Sequence, residues 1–338
     1  MTHDKGDFPS TIGSGSTDLT TTTGPTTQAL VDLKNLVDAA HGFATEAKSP
    51  ATRKAYRSDW RAFTSWCEPL GVPALPASPE TVATYIASMA RMGRKVASIE
   101  RATVAISQGH KMAGYMSPTT AAPVRETLKG IRRTVGVSQD QKAPIFPEQI
   151  RAMLAVLPDN LLGVRDCALL LLGFCGGFRR SEIVGLDVAD VEFATDGLVI
   201  TLRRSKTDQE GIGRKVGLPY GSSPEVCPVR SLRRWLDAAG ITEGPIFRGV
   251  GRWGHVCDER LEDGTVARIV KKHAAALGLD PQKFGGHSLR AGLATAAARA
   301  GKSERSIMAQ TGHRSVTMVR KYIREGSLFI DNAAAGLL

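Results

Sequence analysis

FGGHSLRAGLATAAARAGKSERSIMAQTGHRSVTMVRKYIR, residues 284–324, is the stretch on which the reading of the whole chain turns. His287 and Arg290 stand three apart on a helix opened by Gly285 and Gly286, so both can face one ligand. Gly312-His313 follows, and Tyr322 comes nine residues after that histidine, inside a basic amphipathic helix over 317–324. Each element alone is ordinary. A His-x-x-Arg is frequent by chance, and a tyrosine on such a helix is most often core. A phenol with a pKa near ~10 is a poor nucleophile unless a base or dense positive charge assists it. Arginines and histidines earlier in the same domain can supply both.

Working outward from this stretch, two more elements complete an ordered set. Gly176-Gly-Phe-Arg179-Arg-Ser-Glu182 follows the apolar run 167–174, which places Arg179 at an element end with Glu182 on the same helix face. Arg203-Arg-Ser-Lys206-Thr closes a strand over 197–203, which a turn-rich stretch containing Gly211 and Gly213 joins to a second strand over 214–218. Singly, these read as a surface ion pair at a helix start and a solvated lysine at a hairpin tip. Jointly, two arginines, two histidines and a lysine can surround a phosphodiester with positive charge, and the tyrosine can attack it. That chemistry needs neither metal nor cofactor.

Composition sets bounds on partners and class. The 338 residues, 42% hydrophobic and 23% charged, exceed one average domain, and two folded units are expected. The formal charge of +11 is unevenly spread: residues 1–50 carry 3 basic and 6 acidic groups, 51–140 carry 13 and 6, and 141–338 carry 28 and 21. Both later segments are therefore net +7, as suits a polyanion whose condensed counterions are displaced on binding. No run of about 18 apolar residues and no secretory pattern is present, so an intracellular protein is expected. Five scattered cysteines without Cys-x-x-Cys spacing predict reduced, structural thiols, with neither a disulfide framework nor a zinc site.

The organisation follows from periodicity. Residues 1–45 read as a largely disordered Ser/Thr/Gly-rich segment with one short helix from about 27. Residues 46–138 read as a helical domain with helices starting near 50 and spanning 78–92, 96–112 and 122–135. In the first of these Tyr56, Trp60, Phe63 and Trp66 form an aromatic stripe opposite Arg53, Lys54, Arg57 and Arg61. Residues 139–146 read as an extended linker stiffened by Pro144. Residues 147–338 form a second, mostly helical domain containing one β-hairpin, with helices alone expected beyond it.

The joint order Arg179-x-x-Glu182, Lys206 in a hairpin, His287-x-x-Arg290, Gly312-His313 and Tyr322 resembles the tyrosine recombinases, also called the integrase family. The resemblance covers about residues 46–330. Within the family the Cre-like enzymes are the nearest likeness, on His287-Ser-x-Arg290-x-Gly292, Ala297-Ala-Arg-Ala-Gly301, Ile307-Met308, Tyr322-Ile-Arg324 and the segment from Thr52 to Cys67. His313 departs from the tryptophan of Cre-like enzymes and keeps the commoner family choice.

The resemblance implies a mainly α fold with a small β-hairpin or sheet in the catalytic domain, arranged as a two-domain, C-shaped clamp on duplex DNA. It implies site-specific recombination: Tyr322 attacks to give a 3′-phosphotyrosine, and Arg179, Arg290 and His313 bind the non-bridging oxygens. Lys206 serves as general acid, His287 manages the tyrosine proton, and Glu182 supports the site. DNA contact is expected from Arg53, Lys54, Arg57, Arg101 and Lys111 in the first domain and from Arg268, Lys271 and Lys272 in the second. The implied partners are inverted-repeat DNA and, in the synapse, a homotetramer tied by the apolar residues after Tyr322. No membrane, metal or cofactor enters, and a bacterial cytoplasm or nucleoid is the expected location. Two alternatives stay open at this point: a type IB topoisomerase, and a DNA-binding protein that keeps the fold without the chemistry.

Overall fold

The computed structural model describes residues 36, 48–137, 141–203, 208 and 212–326, the side chains of 324–326 excepted. The chain divides into two compact units, Met1–Gln139 and Asp140–Leu338. Lys206, the tail after Gly326 and all but Leu36 of the expected first helix lie outside the described residues.

The first unit is built from α1 (Pro50–Cys67), α2 (Pro79–Arg91), α3 (Val96–Met112) and α4 (Ala122–Val135). The starts of α1 and α2 follow from one device. Ser49 and Ser78 each accept a bond from the backbone N–H three residues on, at 3.3 and 3.1 Å, and a proline occupies the first helical position. Packing of α1 on α3 and of α2 on α4 encloses Phe63, Val82, Ile86, Ile99, Ile106 and Val124, all fully buried. Each such side chain contributes about 1.5–3 kcal/mol of burial free energy. The aromatic stripe is oriented as expected at Phe63, Trp60 and Trp66, which pack in or against this core. Trp60 lies so close on α3 that a Cβ at Gly109 would sit 2.6 Å from its ring. His110 is structural: Nε2 accepts from Ala77 N at 2.9 Å while Nδ1 donates to Ile106 O at 2.9 Å.

The second unit opens with an extended segment that belongs to its core. Ala143 N donates to Lys283 O at 2.7 Å, Ile145 N donates to Ser288 O at 3.1 Å, and the Ile145 side chain is fully buried. Residues 143–146, expected as linker, are thus fastened within this unit. There follow α5 (Pro147–Ala155), α6 (Leu161–Cys175) and α7 (Arg180–Gly185). Helix α6 is buried on most sides, with Ala168 to Leu172 at most 2% exposed and its one charged pair, Arg165 and Asp166, buried as well, which marks a central helix.

Strands β1 (Val191–Ala194), β2 (Gly197–Leu202) and β3 (Arg214–Pro219) form an antiparallel sheet in that order, pairing Ile200 with Val216 and Leu198 with Leu218. Alternate residues Leu198, Ile200 and Leu202 turn inward, as a period of two requires. Helix α8 (Pro228–Ala239) covers the sheet and α6, its buried Trp235 donating Nε1–H to Ile246 O at 2.8 Å. A second hairpin, β4 (Arg248–Val250) with β5 (Val256–Arg260), precedes α9 (Asp263–Ala276), α10 (Gly286–Arg299), α11 (Glu304–Thr311) and α12 (Val316–Gly326).

The helices expected from about residue 50 onward and the two paired strands of the hairpin over 197–218 are present. The expectation of helices alone beyond that hairpin needs correction, because β4 and β5 intervene, and a further unexpected strand, β1, precedes the hairpin and extends its sheet. The reason is compositional. β1 has only four residues, and β5 reads Val-Cys-Asp-Glu-Arg with three exposed positions, so neither shows apolar alternation. Among the described residues no helix is long and apolar enough to cross a membrane. The architecture is mainly α with small antiparallel sheets in the second unit.

Candidate active site

Gly177 turns the chain out of α6 with φ +56°, a left-handed conformation, at a point where a Cβ would meet Leu293 and Thr311 within 3.0 Å. That turn sets Arg179 as the N-cap of α7. Glu182 closes back onto it, accepting from Arg179 N at 2.9 Å and from Arg179 Nη1 at 2.5 Å. The Glu182 side chain is only 2% exposed, so its charge orients its neighbours without solvent screening.

Arg290 reaches the same turn from α10. It is 1% exposed, and its Nη1 donates to Gly177 O at 2.6 Å and to Thr311 O. Nη2 is buried without a protein acceptor. Burial, then the nearby Arg179 charge, lowers the Arg290 pKa to about 10, well below the usual guanidinium range. A cation held so unfavourably favours an arriving anion.

His287, three residues earlier on α10, places Nε2 2.8 Å from the Tyr322 hydroxyl of α12. Burial, Arg290 and Arg179 push the His287 pKa down, which keeps the ring neutral and able to accept a proton. His313 lies just beyond α11, its ring centroid 5.7 Å from that of Tyr322 and its Nδ1 2.7 Å from Thr311 Oγ1. Desolvation first, then Arg290, Arg179, His287 and Arg214, drive its pKa down to about 3. Tyr322 is itself 5% exposed and packs with Ala291, Ala294, Ile307 and Val319. It is thus a core residue that still presents its oxygen to the cluster.

Arg179, Glu182, His287, Arg290, His313 and Tyr322 therefore converge on one place, while Lys206 lies outside the described residues. Asp208 accepts from Ile212 N at 3.1 Å and Gly213 N at 2.7 Å and lies 3.5 Å from Arg314.

Sequence reasoning overlooked two members of the cluster. Arg214, the first residue of β3, donates Nη1 to Ala309 O and Gln310 O at 3.2 and 3.1 Å and lies 4.0 Å from Glu182. Its Nε and Nη2 are buried without hydrogen-bond partners. Thr311 is fully buried and touches Arg290 through its carbonyl and His313 through its hydroxyl. The signal for Thr311 was adjacency to Gly312-His313; Arg214 had none, since an arginine opening a strand is commonplace. The three unsatisfied donors on Arg290 and Arg214 together can receive the oxygens of a phosphate.

The candidate DNA-contacting residues are placed as follows. Lys54, Arg57, Lys111, Arg268 and Lys272 are exposed, and Arg53 and Lys271 are half-buried. Arg101 is engaged by Asp59 in a two-pronged pair at 2.7 and 3.0 Å, and Arg268 donates to Thr265 Oγ1 at 2.6 Å. All five cysteines are free, and burial pushes the Cys175 thiol up to about 11.

Residues 145–327 match the Phage integrase family. The chain is 42% identical over 292 residues to the integrase/recombinase xerD homolog of Selenomonas ruminantium, covering 85% of each. It is 26% identical over 312 residues to the recombinase cre of Escherichia phage P1, covering 86% of this chain and 88% of that protein. In fold it is similar to the XerH site-specific recombinase in a crystal structure with its palindromic difH substrate (TM-score 0.55, 17% identity, 74% of this chain and 70% of that one). It is likewise similar to a lambda integrase dimer bound to a COC′ core site (TM-score 0.57, 19% identity, 88% and 77%). The cluster of arginines and histidines around a buried tyrosine thus sits in a chain that belongs to the phage integrase family and is a tyrosine recombinase.

Proposed function

We propose that this recombinase cuts and rejoins duplex DNA at a specific site through a covalent 3′-phosphotyrosine on Tyr322, passing through a Holliday junction without ATP or metal. The observation that carries this reading is the Tyr322 hydroxyl held 2.8 Å from His287 inside a group of buried, under-satisfied guanidinium groups. In the first step Tyr322 Oη forms the new bond to phosphorus while the bond to the 5′ oxygen breaks. His287 accepts the phenol proton, and Lys206 delivers a proton to the departing oxygen. Arg179, Arg290 and His313 bind the non-bridging oxygens as charge develops, and Glu182 orients Arg179. Because the phosphodiester energy is kept in the tyrosyl ester, a 5′-hydroxyl from another strand reverses the step.

Duplex DNA with two inverted half-sites is the proposed substrate. Lys54, Arg57 and Lys111 of the first unit, with Arg53 and Arg101 beside them, supply phosphate contacts, as do Arg268, Lys271 and Lys272 on α9. Such contacts position the protein without reading sequence. A monomer or dimer before synapsis and a homotetramer within it complete the proposal, residues 328–338 serving as the exchanged segment, in a cytoplasmic or nucleoid setting. The test is Tyr322→Phe with a nicked suicide duplex carrying the inverted repeats that adjoin the gene. The variant keeps the ring and loses only the attacking oxygen, so it should bind the duplex and form no covalent adduct on a denaturing gel. Adduct formation by the variant would overturn the assignment.

A further inference from the structure

Thr311 Oγ1 has two close neighbours: Ile307 O at 2.6 Å, one turn back in α11, and His313 Nδ1 at 2.7 Å. A carbonyl oxygen can only accept, so the single hydroxyl proton of Thr311 goes to Ile307 O. Oγ1 then faces Nδ1 with a lone pair, and Nδ1 must carry the hydrogen. We propose that Thr311 fixes His313 as the Nδ1–H tautomer, which leaves Nε2 bare in the neutral ring, so that His313 binds a phosphate oxygen only after taking a proton from solvent.

The surroundings sharpen this constraint. Thr311 is fully buried, so its hydroxyl is not drawn off by water, and its carbonyl is held by Arg290, which fixes the backbone from which the hydroxyl projects. The groups facing His313 come from every neighbouring element: Arg290 and His287 on α10, Arg179 before α7, Arg214 on β3 and Tyr322 on α12. Glu182 stands behind Arg179 and Arg214. On its open side His313 borders a depression shared with Glu304, Arg305, Met308 and Ala309 of α11. With cations dominant, the ring stays neutral while the pocket holds no anion; a phosphate reverses the local field and favours the added proton. The tautomer stands on geometry alone, whereas the role of the proton rests on the phosphate chemistry proposed above.

The experiment reads the two halves separately. In the DNA-free full-length protein labelled with ¹⁵N-histidine, long-range proton–nitrogen correlation distinguishes a protonated Nδ1 from a protonated Nε2. His313 should show Nδ1–H in the wild type and in Thr311→Ser, and Nε2–H in Thr311→Val. A wild-type Nε2–H signal, or an unchanged tautomer in Thr311→Val, would overturn the proposal. Cleavage of the nicked suicide duplex is then followed against pH. The rate of Thr311→Val relative to wild type should rise with pH, because only the variant keeps a neutral Nε2–H donor. A flat ratio alongside a reversed tautomer would overturn the proton-uptake half. Failure of the wild type to cleave would count against the proposed function, and the tautomer would still be decided without DNA.

Discussion

His287 Nε2 and the Tyr322 hydroxyl meet at 2.8 Å across 35 residues of sequence, so the proposed nucleophile and its proton acceptor come from one chain. Both sit on helices, α10 and α12, that pack directly on each other. The distance is therefore set by core packing between Ala291, Ala294, Val319 and the tyrosine ring rather than by a loop.

A pH consequence follows from the charges around His287. Acceptance of the phenol proton requires the neutral ring, and burial with Arg290 and Arg179 holds its pKa below the ordinary value. A lowered pKa means the neutral form persists to lower pH. The acid limb of kcat/KM, which reports the free enzyme, should thus fall below the ~6.5 of a free histidine. His287→Ala should slow adduct formation by about 10²- to 10⁴-fold and remove that limb. An acid limb at or above that value in the wild type would rule His287 out as the acceptor.

Lys206 is tested by changing the leaving group. Lys206→Ala should slow cleavage of ordinary DNA by roughly 100-fold or more, the usual scale for a general acid. A 5′-bridging sulfur departs without a proton and should restore the rate. Equal impairment on both substrates would remove Lys206 from that role.

Gly312 has φ +66°, and a Cβ there would lie 2.6 Å from Arg214 Nε, whereas Gly301, at φ +68°, has nothing within 4 Å of the same atom. Alanine at either position strains the backbone, at a cost of about 1–3 kcal/mol. Only Gly312→Ala also displaces Arg214 from Ala309 O and Gln310 O. Thermal unfolding should show similar losses for the two variants, with adduct formation failing in Gly312→Ala alone. Matched cleavage rates would show that the Arg214 contact does not matter to the site.

Asp166 ties α6 to α9, accepting from Arg165 Nη2 at 2.7 Å and facing His273 Nε2 at 2.9 Å, with side-chain exposures of 1, 6 and 2% for the aspartate, arginine and histidine. His273 and Arg165 hold its carboxyl below the usual range against the opposing effect of burial. A depressed folded pKa gives stability that is fully present above the unfolded value of ~3.9 and is lost as pH falls toward the folded one. Asp166→Asn, which leaves a buried arginine without its charge partner, should cost about 3–5 kcal/mol at neutral pH. Urea titrations should show this deficit shrinking below pH ~4. A deficit that stays constant down to pH 2 would mean the carboxylate charge contributes nothing.

The sequence by itself determined the local elements and the identity of the cluster. The helix starts at Ser49-Pro50 and Ser78-Pro79 are local, because capping and a fixed proline φ act within one turn. The apolar alternation at Leu198, Ile200 and Leu202 announced β2 because one face of that strand is buried. Arg179, Glu182, His287, Arg290, His313 and Tyr322 were legible because their types, order and spacing are jointly uncommon.

Tertiary structure alone decided what depends on partners distant in the chain. β5 pairs through its backbone while carrying charged, exposed side chains, so no apolar period marks it. Ile145, in a stretch that reads as a linker, is buried because Ser288 and Gly292 of α10 come against its backbone. Arg214 joins the site only because β3 runs beside the end of α11, and its guanidinium there finds carbonyls 95 and 96 residues away. Thr311 joins the site because its carbonyl meets the Arg290 guanidinium, which α10 brings in from 21 residues away. Residue types and short spacings are fixed by the chain, whereas the direction of a hydrogen bond and the field on a buried ring are fixed only when other segments close around them.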